Sequence, residues 1–268
     1  LCAAGCGGKS KTVLRVGVMP DLDSIPLMAA KQAGYLPDDI VLEVYKSPVE
    51  RDSALYSGHL DGSVSDLLAA FLAAGNSQGY KALTVTDGCY RLVAGGKAGV
   101  TSIGELQGKT VGMSVHTIIE YAADRLLQAG GLSPDQVEKT EPYATAAIEG
   151  GGVLLGSSTD LHMDAGLLLF SDEAFTDKAA LMQKLLTGYD KAAADLNAGK
   201  ANLKKAADAL GLPATVDASL LPVYRPSCLP GTADAAAAAK WLTDNSLLET
   251  ALDPSVVMGC LTGTASHG

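Results

Sequence analysis

Short apolar runs alternate along this chain with stretches in which apolar residues return every three or four positions. "VLRVGVMP" is short, β-prone and stopped by a proline, so it predicts a strand. "DLDSIPLMAAKQAGYL" then predicts a loop and a helix, with Pro26 in the first turn and Gly34 at the stop. "IVLEVYK" predicts the next strand. In "SPVERDSALYSG", Ser47 takes the N-cap, Pro48 the first helical position, and Glu50 completes a capping box. "LDGSVS", "YKALTVT" and "YRLVAGG" read as further strands, and "DLLAAFLAAG" as a helix following the first of them. This alternation predicts a parallel sheet with helices on both faces.

The pattern restarts at "GVTSIGELQGKTVGMS". Thr110 to Met113 form a short β-prone run after Gly108, and Ile118, Ile119, Ala122 and Leu126 then recur at helical spacing. Thr117 with Glu120 makes a second capping box. Ser114, Val115 and His116 therefore fall on a strand-to-helix turn, beside backbone N–H groups that have no partner inside the helix. "VEKT", "GGVLLGSS" and "AGLLLF" predict three more strands. After them the chain is mostly helical, with "DEAFTDKAALMQKLLTGYDKAAADLNAG" and "ADAAAAAKWLTDNSLL" carrying the amphipathic stripes. "GLPATVDASLLPVYRPSCLPG" is a Pro-rich connector between them. The predicted plan is two α/β lobes: residues 13–92 begin the first, 93–165 form the second, and 166–268 return to the first with C-terminal helices.

Composition narrows the function. The 268 residues suffice for one large domain or two lobes with separate cores. A net charge of −10 and the lack of any basic run argue against nucleic acid as a partner. No stretch approaches the roughly 18 apolar residues of a membrane span. At the N-terminus, "LCAAGCGGKSKT" contains Ala-Ala-Gly-Cys, which resembles the end of a bacterial lipoprotein signal. On that reading residues 1–12 are a signal remnant and tether, and Cys6 carries the lipid; the other reading is a plain tail with two cysteines. Cys89, Cys228 and Cys260 stand at no metal-ligand spacing, leaving either one disulfide with a spare thiol or three small buried hydrophobes.

Motifs for chemistry are sparse. "GKT" at 108–110 is no phosphate loop, because Ile103 stands where a glycine is needed and the strand follows the motif. His59, His116, His162 and His267 are dispersed, so no metal and no cofactor is expected. A Ser114–His116 dyad lacks an orienting Asp. Ligand capture has more behind it. Small polar residues stand at each strand-to-helix junction: Asp23 and Ser24, Ser47, Ser65 and Asp66, and Ser114 to Thr117. Each alone is an ordinary helix cap. As a set they would line a cleft beyond the carboxyl ends of two sheets. His116 lies outside the N-cap, where no capping rule requires it, and is placed at a pocket rim.

"SPVERDSALYSGHLDGSVSDLLAAFLA", "GELQGKTVGMSVHTIIEYAADRLL", "EPYATAA" and "DLHMDAGLLLF" together resemble the periplasmic solute-binding proteins of ABC importers. The group is the nitrate/sulfonate/taurine type, including the NMT1/THI5-like superfamily. The resemblance implies a two-lobe, type II-like periplasmic-binding-protein fold, each lobe a mostly parallel sheet flanked by helices, closing on ligand by hinge motion. It implies ligand contacts from Asp23, Ser24, Ser65, Asp66, Ser114, His116, Thr117, Glu141 and Tyr143, with Met163 and Asp164 lining the hinge return. It implies a non-enzymatic, extracytoplasmic monomer, lipid-anchored to a bacterial membrane, that passes a small solute to permease and ATPase subunits. The alternative is an enzyme on the same fold acting on a thiamine-pyrimidine-type molecule, whose Cys/His-rich iron-site features are not found in this sequence. The solute could be a sulfonate, a nitrate-like anion, or an amine or pyrimidine. Asp23, Asp66, Glu141 and Asp164, with no obvious Arg among them, fit the last class better. The resemblance also leads to an expected helix and strand between "VEKT" and "EPYATAA", yet Thr140 runs directly into Glu141. Two parallel strands cannot be joined by so short a link.

Overall fold

The computed structural model describes residues 12–140, 152–213, 216 and 218–261. Cys6, Glu141, Tyr143 and the Thr140–Glu141 junction fall outside the described residues. The strands are β1 (Leu14–Val18), β2 (Ile40–Val44), β3 (Gly62–Asp66), β4 (Tyr80–Val85), β5 (Arg91–Ala94), β6 (Thr110–Gly112), β7 (Glu138–Thr140), β8 (Val153–Ser157) and β9 (Gly166–Ser171). The helices are α1 (Ile25–Gln32), α2 (Pro48–Tyr56), α3 (Leu67–Gly75), α4 (Ile118–Ala129), α5 (Asp172–Asp177), α6 (Ala179–Asn197), α7 (Leu203–Leu210) and α8 (Thr232–Asp244).

A five-stranded sheet in the order β2-β1-β3-β9-β4 organises the larger part. β1 runs parallel to β2 and β3, while β9 enters between β3 and β4 antiparallel to both. Four strands thus share one direction and β9 opposes them, the mostly parallel sheet expected. The run "GLLLF" does not itself set the direction of β9. Leu167, Leu168, Leu169 and Phe170 are all fully buried, and an apolar run buried on both faces reads alike in either direction. Alternation along β9 divides the core. Leu168 and Phe170 join α1, α6 and α7 on one face, and Leu167 and Leu169 join α3 and α8 on the other. Gly62 opposite Phe170 has to be glycine, because a Cβ there would sit 2.3 Å from the ring.

One buried group in this core lacks a partner. Tyr189 is fully buried on α6, and its hydroxyl makes no hydrogen bond among the described residues. Such a group costs about 1–3 kcal/mol in desolvation. Tyr189→Phe is therefore expected to stabilise the protein by about 1 kcal/mol, read as a higher urea midpoint at unchanged slope.

The smaller part holds two separate two-stranded sheets, β5 antiparallel to β8 and β6 parallel to β7. Its core comprises Leu92, Ala94, Val100, Leu106, Leu126, Leu127, Leu132 and Val137. β5 and β6 do not pair among the described residues; every residue of both lines a cavity of about 620 Å³, floored by Ile119, Ala123 and Leu126 of α4. α4 belongs to two cores: Leu126 and Leu127 face this small one, whereas Ile118, Tyr121 and Ala122 pack with α3 and α8 under the large sheet. No described helix is long and apolar enough to cross a membrane.

The cysteines depart from both sequence readings. Cys89, Cys228 and Cys260 are all free thiols, the first half-buried and the other two exposed.

Candidate functional site

The large sheet ends in a cluster of charged groups where β1, β3 and β4 give way to loops. Asp23 stands just before α1, only 9% exposed. Its Oδ1 accepts the Thr86 hydroxyl at 2.5 Å and the Gly88 N–H at 2.9 Å. Burial, and then the neighbouring Asp21, push its carboxyl up to about 7. Gly88 and Gly166 press against it, since a Cβ at either would fall within 2.1 Å of a carboxylate oxygen. Asp23 thus ties the start of α1 to both strands that lead between the sheets. The Ser24 hydroxyl, fully buried, accepts the Met19 N–H at 3.0 Å and holds the same loop.

Asp66 caps α3, accepting the Ala69 N–H at 2.9 Å, and burial raises its pKa. Ser65 beside it is 6% exposed and makes no side-chain hydrogen bond among the described residues. The sequence reading expected no arginine near these groups, and the structure corrects it. Arg51 is 6% exposed, on the buried stripe of α2 with Leu55. Its guanidinium pairs with Asp52 at 2.8 Å and reaches the Met19 sulfur at 3.4 Å. It is close enough to Asp21 and Asp66 to favour their charged forms. Half-buried Tyr90 feels the same group: burial first, then Asp23, Asp66 and Asp21, hold its hydroxyl well above the usual range. A charged residue in step with Leu55 on an apolar helix face was the signal available in the sequence.

A second cluster joins the two crossing segments. Arg225, from the Pro-rich connector, donates through Nε to Asp87 at 2.7 Å and through Nη2 to Asp164 at 2.6 Å. Asp164 also accepts the Gly231 N–H at 2.7 Å. These hydrogen bonds raise the guanidinium pKa against the cost of its burial. The connector runs beside β4, with the Val85 N–H bonded to the Cys228 carbonyl at 2.8 Å. Asp87, Gly88, Met163 and Arg225 line a pocket of about 480 Å³ with Ser158, Thr159 and His162 on its wall. Asp87 and His162 hold left-handed backbone, φ 55° and 50°. Non-glycine residues adopt that conformation only where surrounding contacts impose it.

At the turn before α4, Thr117 is the N-cap, its hydroxyl accepting the Ile119 N–H at 3.2 Å and donating to the Ser114 carbonyl at 2.7 Å. Glu120 does not close the predicted box. Its carboxylate takes the N–H of His116 at 2.5 Å, one residue earlier, and His116 adopts φ 60° with its ring exposed. The other Glu120 oxygen meets the Lys139 ammonium at 2.7 Å, and the same ammonium lies 2.8 Å from Asp124.

Asp23 and Ser24 are thus brought together at the end of β1, Ser65 and Asp66 at the end of β3, Met163 and Asp164 beside Arg225, and Ser114, His116 and Thr117 in the turn before α4. No described hydrogen bond links Ser65 or Asp66 to that turn. Arg51, Tyr90, Asp87 and Arg225 are the residues that sequence reasoning left out.

Comparison with known proteins bears on the fold. The family profile described as NMT1/THI5 like matches residues 21–151, just under half of the chain. No curated protein sequence matches the chain significantly. Among solved structures, the periplasmic aliphatic sulphonate binding protein SsuA of Escherichia coli superposes with TM-score 0.77 at 19% identity, covering 97% of this chain and 96% of that one. The alkanesulfonate-binding SsuA of Xanthomonas axonopodis pv. citri, bound to MOPS, gives TM-score 0.72 at 17% identity over 94% and 99%. The desulfurization enzyme DSZB shares the fold more loosely, with TM-score 0.57 at 14% identity over 93% and 96%. The chain carries an NMT1/THI5-like segment over residues 21–151 on the two-lobe fold of the periplasmic binding proteins.

Proposed function

We propose that the chain is the extracytoplasmic solute-binding protein of an ABC importer, holding a small polar organic solute between two lobes and handing it to the permease. The observation that carries this reading is fold similarity over 97% of the chain to a periplasmic binding protein. The first lobe is formed by residues 13–92 and 166–268, and the second by 93–165, with β5 already paired into the second sheet. Ser65, Asp66, Ser114, His116, Thr117, Met163 and Asp164 stand on its ligand-facing side, with Glu141 and Tyr143 assigned there by resemblance alone. Asp23 and Ser24 serve better as posts of that wall than as direct contacts, because Asp23 Oδ1 already holds Thr86 and Gly88 and the Ser24 hydroxyl already holds Met19.

Charge sets the solute class. Arg51 is held by Asp52 and Arg225 by Asp87 and Asp164, so neither offers a bare cation to an anion. Asp21, Asp23 and Asp66, whose carboxyls burial holds toward the protonated form, bring oxygen atoms and no cation, which favours a solute bearing an amine or aminopyrimidine over a sulfonate or nitrate. Titration calorimetry with an aminopyrimidine, ethanesulfonate and nitrate tests this. Tighter binding of either anion would overturn it. His116→Ala should weaken aminopyrimidine binding by about 1–2 kcal/mol if the ring bonds the ligand, and unchanged affinity would remove His116 from the site. Turnover of the aminopyrimidine by the purified protein would instead favour an enzyme on this fold.

Location follows from the same reading, with Cys6 as the lipid-bearing residue. Expressed from the full precursor in bacteria, Cys6→Ser should leave the protein in the soluble fraction; equal membrane retention would refute the anchor.

A further inference from the structure

α4 connects the ligand-facing turn to the C-terminal helix α8 through an unbroken polar chain. The Trp241 indole N–H donates to the Asp124 carboxylate at 2.9 Å, in a buried contact. Its ring meets Tyr121 edge-on, with centroids 5.7 Å apart. Asp124 pairs with Lys139 on β7, Lys139 with Glu120, and Glu120 with the N–H of His116. Trp241 packs in the core under the large sheet, whereas Lys139 is carried by the small sheet. The contact therefore joins a helix of each lobe, in the same core that takes in Met163 and Ala165 of a crossing segment.

We infer that the Asp124–Trp241 contact is a latch that holds the two lobes together. The inference rests on the two-lobe reading above. If one lobe swings about the crossing segments, α4 has to slide on α8, and the buried indole N–H and carboxylate must part. The indole N–H then loses its acceptor and Asp124 keeps only Lys139, which disfavours the open arrangement. Two such states convert one hydrogen bond into a bias on the whole population. Through Glu120 the latch also fixes the His116 amide, so the ligand-facing turn is formed when the latch is engaged.

Three variants of the full chain test it by small-angle X-ray scattering without added solute, with circular dichroism confirming the fold. Trp241→Phe removes the donor, Asp124→Leu removes the acceptor, and Asp124→Asn keeps an acceptor of the same size. The first two should show a larger radius of gyration than the parent, and the third should not. Trp241 is the only tryptophan, so its emission should shift to the red in Asp124→Leu and stay in place in Asp124→Asn. If Trp241→Phe fails to fold, the two Asp124 variants decide. Equal scattering from the parent, Trp241→Phe and Asp124→Leu overturns the latch, as does opening by Asp124→Asn to the same extent as by Asp124→Leu. Where the variants open as expected, they should bind the aminopyrimidine about tenfold more weakly than the parent, because fewer molecules are in the competent state. If the parent binds no aminopyrimidine, sulfonate or nitrate while Asp124→Leu opens, the importer reading fails and the latch stands.

Discussion

Asp23→Asn is expected to be more stable than the parent at pH 8, by on the order of 4 kcal/mol, with the difference closing as the pH falls toward 4. The Asp23 carboxyl is raised from 3.8 to about 7 in the folded protein. The native state therefore binds the proton more tightly than the unfolded chain, and stability from this group is fully present below the unfolded value. It is lost as the pH rises through 4 to 7, because charging the carboxylate inside the fold costs more than charging it in water. Asn keeps an oxygen for the Thr86 hydroxyl and the Gly88 N–H, and carries no charge to desolvate. Asp21, raised in the same direction by burial, leaves a slope of the same sign in the variant. Urea midpoints taken at intervals from pH 4 to 8 would show the two curves diverging. Parallel curves would mean that Asp23 is ionised in the native state at little cost.

Lys139→Met is expected to lose about 3–5 kcal/mol near neutral pH, because it leaves two buried carboxylates without their cation. Glu120 and Asp124 side chains are only 6% and 5% exposed, and Lys139 lies within 2.8 Å of both. The pair itself contributes less than its removal costs, since desolvating three charged groups offsets much of their attraction. Thermal unfolding of Lys139→Met beside Lys139→Arg, which keeps the positive charge, would separate lost charge from lost packing, since only the first should fall by this amount. A variant as stable as the parent at pH 7 would show that water reaches the two acids.

Much of the fold was legible because it is written in local chemistry. Ser47 and Thr117 cap their helices as read, Gly34 stops α1 with φ 74°, and "VEKT" forms the short strand beside β6. These features depend on residues within a few positions of each other. The direction of β9 does not, because its neighbours β3 (Gly62–Asp66) and β4 (Tyr80–Val85) lie far earlier in the chain. The site was legible in position and less so in detail. Small polar residues do mark the strand ends, but whether Asp23 faces a ligand or Thr86 depends on a loop 63 residues away. Arg225 stands in a Pro-rich connector whose pattern predicts only a turn, and its two partners come from segments 138 and 61 residues distant. Glu120 was assigned to a cap, and nothing near it in sequence announces Lys139.

The place of β9 also governs when this protein can fold. β3 and β4 are consecutive neighbours in the chain but never touch in the sheet, because β9 lies between them. Until Ser171 has emerged, β4 has no edge to join, and the hydrophobic faces of α3 and β4 stay exposed. The nucleus of the larger lobe is consequently built from contacts of long sequence separation, which makes its formation slow. A chain synthesised from its N-terminus spends that interval with β2, β1 and β3 able to pair but β4 left out of the sheet, open to binding factors that would find no purchase on the finished fold. If it is exported, as proposed, the delay keeps it threadable until most of its length has been made.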